Sequence, residues 1–134
     1  MINSEPAGRQ AASLPIKNKI YQMKIYHNPR CGKSRAGLAI LQESKLSFEI
    51  INYIETPLST TELTEIIKLL GIPPIDLVRK NESIWKENFK GKNLSDSEII
   101  TAMLKNPKLI ERPIVINKSK AVIGRPPEII KSIL

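Results

Sequence analysis

A β-favouring run, Lys24-Ile25-Tyr26, feeds through the loop His27-Asn28-Pro29-Arg30-Cys31-Gly32-Lys33 into a helical stretch from about Ser34 to Ser44, and then into a second β-rich run, Phe48 to Tyr53. Strand, helix and strand in so few residues leave one economical arrangement, a βαβ unit, because a crossover helix is the usual connection that returns a chain parallel to itself. The Asn-Pro pair and Gly32 mark the loop, and Leu38 and Leu41 supply the inward face of the helix. Cys31 therefore stands at a helix N-terminus.

The rest of the chain follows the same grammar. Ser59 and Glu62 form a capping signature before Leu63, Ile66, Ile67 and Leu70, which stand at helical spacing, and Gly71 closes that helix. Pro73-Pro74 restart the chain into a short predicted helix, Ile75 to Lys80, with Arg79 near its end. A short amphipathic piece carries Ile84, Trp85 and Phe89, and Ser95 and Glu98 open a further helix that Asn106-Pro107 stops. Ile114-Val115-Ile116 and Ala121-Val122-Ile123, separated by four polar residues, read as a hairpin, and Pro126-Pro127 start a terminal helix with Ile129, Ile130 and Ile133 apolar. The order β-α-β, helices, β-β-α predicts an α/β domain of the thioredoxin-like (glutaredoxin-like) kind: a mixed four-stranded sheet with a helical insertion between its βαβ and ββα halves. Residues 1–22 lack apolar periodicity and are expected to be a disordered leader or extension, leaving 23–134 as a single domain.

Composition narrows the function. No stretch approaches the roughly 18 unbroken apolar residues of a membrane span. One cysteine, Cys31, and one histidine, His27, exclude an internal disulfide and an all-Cys/His zinc site, and no metal is expected. A lone thiol without an apolar signal segment fits a reducing cytoplasm. The formal charge of +8 favours anionic partners. Only 4% of residues are aromatic and no Lys/Arg block reaches five, so neither a base-stacking platform nor a phosphate-tracking tail is visible and nucleic acid is not expected.

A helix N-terminus stabilises negative charge, so Cys31 has an address at which a thiol becomes a thiolate. Arg30, Lys33 and Arg35 add positive charge, and Ser34 offers a hydroxyl. A thiol pKa below the free value of about 8.5 is expected. Gly32-Lys33-Ser34 is not a nucleotide P-loop, because His27 stands where that motif needs glycine. Nor is this a Cys-x-x-Cys redox pair, since the second position is Ser34, so any disulfide step must use an outside thiol.

Four blocks, Tyr26-His27-Asn28-Pro29-Arg30-Cys31-Gly32-Lys33-Ser34-Arg35, Leu77-Val78-Arg79-Lys80-Asn81, Glu111-Arg112-Pro113-Ile114-Val115-Ile116 and Gly124-Arg125-Pro126-Pro127-Glu128, resemble the glutaredoxin-coupled arsenate reductases of the ArsC type, in the expected order from Met23 to Leu134. The resemblance implies Cys31 as nucleophile and Arg79, Arg112 and Arg125 as oxyanion ligands, with His27, Asn28, Ser34 and Pro113 in support. Taken singly, each arginine reads as a solvated surface charge, but forked guanidinium donors suit a tetrahedral oxyanion. The resemblance further implies a cis bond before Pro113, facing the cysteine. It also implies no tightly bound cofactor, glutathione as co-substrate, glutaredoxin as partner, and a monomer.

Arg30 and Lys33 depart from the small or neutral residues of the reference arsenate reductases, and Gly124 and Pro127 surround Arg125. Besides arsenate reduction, the sequence leaves open an arsenate-inactive glutathione-dependent thiol reductase and an Spx-like regulator that binds RNA polymerase. Ser34 in place of a second cysteine and retention of three arginines favour the enzyme.

Overall fold

The computed structural model describes residues 9–11 and 23–134. Its elements run β1 (Arg9–Ala11), β2 (Met23–His27), α1 (Gly32–Glu43), β3 (Glu49–Asn52), α2 (Thr60–Leu70), a 3-10 turn (Pro74–Leu77), α3 (Ser83–Asn88), α4 (Asp96–Lys105), a second 3-10 turn (Pro107–Leu109), β4 (Ile114–Asn117), β5 (Lys120–Ile123) and a 3-10 helix (Pro127–Ile133). They divide into two compact units, one drawn from the chain up to Thr56 together with Arg112–Leu134, the other Pro57–Glu111. The second unit coincides with the helical insertion that the element order predicts.

The first unit is the sheet, ordered β1-β3-β2-β4-β5. β2 and β3 are parallel across α1, with Ile25 opposite Ile50, while β4 lies antiparallel on the other side of β2 and β5 antiparallel on β4. These four strands are the mixed, thioredoxin-like set expected. The sheet nevertheless has five strands, not four, because Arg9–Ala11 pairs antiparallel with the outer edge of β3. Three residues of the presumed leader are thus strand; a three-residue strand is too short to leave a periodic signal. The other residues of 1–22 lie outside the described residues.

Alternation along the strands sends Met23, Ile25 and Val115 to one face, where they pack with Leu41, Phe48 and Ile130. α1 and the C-terminal 3-10 helix bring the last apolar side chains to this core. The terminal helix was expected from Ile129, Ile130 and Ile133, but the buried residues are Pro127, Ile130 and Ile133, and Ile129 is 43% exposed. Their spacing of three suits a 3-10 helix, in which i and i+3 eclipse.

Gly37 in α1 and Gly124 after β5 both abut the ring of Pro113 and the side chain of Ile130. A Cβ on Gly37 would come 2.8 Å from Pro113 Cγ and 3.0 Å from Ile130 Cδ1. The proline ring cannot rotate away, so Gly37→Ala is expected to cost about 1–3 kcal/mol in overpacking, more than the roughly 1 kcal/mol that alanine gains in a helix. A thermal melt checks this: a lower Tm is the expected result, and an unchanged or higher one would show that the contact yields.

In the second unit, the Ser59 hydroxyl accepts the Glu62 N–H (3.1 Å) to open α2, and Gly71 closes it with a left-handed φ of 68°. α4 begins with the full Ser95/Glu98 capping box, and α2 packs on it. The predicted helix Ile75 to Lys80 is only the single 3-10 turn Pro74–Leu77, and Arg79 lies beyond it. Val78 is instead extended and bridges Ile110, with Arg79 N–H donating to Leu109 O (2.7 Å) and Glu111 N–H to Leu77 O (2.9 Å). This pairing between distant segments captures the backbone that a longer helix would need. Among the described residues no helix is long and apolar enough to cross a membrane.

Candidate active site

The loop between β2 and α1 is tied together before any chemistry is considered. Asn28 Oδ1 accepts the Arg30 N–H (3.0 Å), and Asn28 O accepts the Cys31 N–H (3.0 Å), which turns the chain tightly into α1. Ser34 Oγ, fully buried, accepts the Asn28 N–H (2.9 Å) and is hydrogen-bonded to His27 Nδ1 (2.7 Å). The family resemblance implies that the His27 imidazole and the Ser34 hydroxyl support the cysteine through contacts to it. These two side chains instead bind each other and the loop.

Burial pushes the His27 pKa down; hydrogen bonding to Ser34 pulls it up and the Arg35 charge lowers it, leaving it below the usual histidine value. Burial thus favours the neutral ring.

Cys31 is the N-cap of α1, in extended conformation, and its thiol makes no capping hydrogen bond. No acid lies in the first turn to satisfy the helix N-terminus. Burial works to raise the Cys31 pKa. The Ser34 N–H, the Arg112 guanidinium and the Lys33 N–H, all of which favour ionised sulfur, outweigh it, and the thiol is held below its usual value. The thiol is half-buried and free, and the groups that favour its ionised form are those that would make a cysteine nucleophilic.

Arg112, 8% exposed, comes from the approach to β4 and precedes a cis bond to Pro113. Gly124 N–H donates to Pro113 O (2.7 Å), and Arg125 Nη1 donates to Arg112 O (3.3 Å). Arg125 thus steadies the backbone of the arginine that reaches the sulfur. The bond between Arg125 and Pro126 is also cis, which the sequence reading did not anticipate.

Cys31, Arg112 and Arg125 are therefore brought together in the first unit, with His27, Asn28 and Ser34 beneath the loop and the Pro113 ring set against Gly37 and Gly124. Arg79 belongs to the second unit. Two carboxylates hold it there, Glu82 on Nη1 (3.1 Å) and Glu111 on Nε (3.3 Å). Neither glutamate was singled out from the sequence as a partner of Arg79, although Glu82 stands three residues beyond it. Gly37 also escaped notice, and a glycine inside a helical pattern was the available sign. Among the described residues no group of three or more His, Cys, Asp or Glu could hold a metal ion.

Residues 26–133 match the model of the ArsC family. The chain is 48% identical over 109 residues to the uncharacterized protein YfgD of Escherichia coli K12, covering 80% of this chain and 92% of that protein. It is 43% identical over 112 residues to an arsenate reductase of Haemophilus influenzae, covering 82% and 97%. The structure superimposes on an arsenate reductase from Vibrio cholerae with a TM-score of 0.80 at 41% identity, covering 87% of this chain and all of that one.

Proposed function

Since the chain belongs to the ArsC family, we propose that it is an arsenate reductase working through a Cys31 thiolate, with glutathione and glutaredoxin as electron donors. The observation that carries this reading is the site itself: a thiol at the N-cap of α1, drawn toward its ionised form by the Ser34 N–H and the buried Arg112, in a chain with no second cysteine. The thiolate would attack arsenic(V) and expel water, giving a cysteinyl-arsenate adduct. Arg112 would meet the developing charge on the oxyanion, with Arg125 as a further ligand. Glutathione then attacks the adduct, and glutaredoxin resolves the mixed species. In sum, arsenate and two outside thiols give arsenite, a disulfide and water, and Cys31 returns as thiolate.

The reading accords with named relatives that are arsenate reductases and with a nucleophile that has no internal resolving thiol. The test couples arsenate, glutathione, glutaredoxin and glutathione reductase and follows NADPH. Arsenate-dependent oxidation is expected. If several glutaredoxins give none while Cys31 still alkylates rapidly, the arsenate-inactive thiol reductase takes its place.

A further inference from the structure

From Met23 to Gln42 the chain carries Lys24, Arg30, Lys33 and Arg35 and not one carboxylate. Two of these cations stand in the first turns of α1, and no acid offsets them. Positive charge at a helix N-terminus opposes the macrodipole and costs the fold stability. Such an arrangement repays that cost when an anion arrives.

The cations near Cys31 have separate employment. The Arg112 guanidinium favours the ionised Cys31 sulfur, and Arg125 Nη1 donates to the Arg112 carbonyl. Arg35 folds back on the loop, with Nη1 donating to Pro29 O (3.0 Å). Arg30 and Lys33, immediately before and two residues after Cys31, are exposed and make no ion pair with any described residue. Their backbones are nonetheless fixed beside the sulfur: the Arg30 N–H is held by Asn28 Oδ1 (3.0 Å), and the Lys33 N–H acts on the Cys31 thiolate.

We propose that Arg30 and Lys33 form a cationic rim that receives the carboxylates of the incoming small thiol, the class to which glutathione belongs. The inference rests on Cys31 being the nucleophile of the proposed reaction. Arg112 is buried whereas Arg30 and Lys33, on either side of Cys31 in the chain, are exposed, so a second reactant that must approach an adduct on Cys31 from solvent meets exposed cations there rather than Arg112. The rim gives a dicarboxylate thiol an advantage over a neutral one of equal reactivity.

The test needs no arsenate. The Cys31 thiolate attacks one sulfur of oxidised glutathione, forming a protein–glutathione mixed disulfide and releasing one glutathione thiolate. Bis(2-hydroxyethyl) disulfide undergoes the same exchange without charge. The readout is the ratio of the two rate constants, followed by intact-protein mass at low and high salt, because the ratio cancels any change in thiol acidity. In the intact chain the ratio should fall with salt. In Arg30→Ala/Lys33→Ala it should fall about tenfold, and in Arg30→Glu/Lys33→Glu further still. A ratio that stays within about twofold in both variants overturns the rim. So does an unchanged ratio accompanied by a raised KM for glutaredoxin, which would assign these cations to an acidic protein surface. If the ratio falls while the intact chain turns over no arsenate, the rim stands and the reductase reading fails. Failure of Cys31 to react with either disulfide overturns both.

Discussion

Cys31→Ser is expected to reduce arsenate turnover to the rate without enzyme while leaving the protein as stable as before or more so. The two halves of this expectation have different causes. Activity is lost because a serine hydroxyl does not ionise near neutral pH and the chain contains no other thiol to take over. Stability holds because the Cys31 side chain makes no capping hydrogen bond to α1, whereas serine is among the preferred N-caps and contributes about 0.5–2 kcal/mol when it replaces a residue that does not cap. The coupled NADPH assay and a thermal melt on the same sample check both. Residual activity above a few per cent would remove Cys31 as nucleophile. A large fall in Tm would mean that the thiol supports the fold in a way its geometry does not suggest.

Arg112→Lys separates the two tasks assigned to the guanidinium. Lysine keeps the charge and loses the fork, so both the bond to the sulfur and planar recognition of an oxyanion suffer. A hydrogen bond between charged groups of this kind is worth about 1.5–3 kcal/mol, and kcat/KM for arsenate should fall by roughly 10–100-fold. After the Ser34 N–H, Arg112 is the group that holds the thiol pKa down, so weakening its contact moves the pKa up and lowers the thiolate fraction. The rate of alkylation by uncharged iodoacetamide should therefore fall at pH 7 and recover in alkaline solution, with the midpoint of its pH profile displaced upward. Arsenate kcat/KM should not recover alongside it, because the substrate contact is missing at every pH. An alkylation profile that superimposes on the parent's would place Arg112 away from the sulfur.

How much of this was legible in the sequence depended on how local each feature is. The βαβ unit and the capping boxes were readable because their signals lie within a few residues of one another, as with Ser59 and Glu62 or Ser95 and Glu98. The position of Cys31 at the start of α1 followed from the same local grammar. Arg79 was misplaced on a helix because the contacts that hold it extended, to Leu109, Ile110 and Glu111, come from a segment thirty residues away in the chain. The terminal helix was read at the wrong period, since Ile129-Ile130 suggests an α-helical face until Pro127 is counted as a buried residue. The partnership of Ser34 with His27 could not be told from a hydroxyl aimed at the sulfur. Both readings need a serine three residues beyond the cysteine, and only coordinates say which way the oxygen points.

That choice of direction bears on how the site endures repeated use. During turnover the sulfur would be in turn bare, bonded to arsenic and bare again, with its size and charge changing at each stage. If the loop were fastened through the sulfur, each of those stages would loosen it, and every cycle would include a step of reassembly. Here the fastening is made behind the sulfur, where the Ser34 oxygen takes the Asn28 N–H and meets the His27 ring out of reach of solvent. The tool can be changed without unclamping the handle.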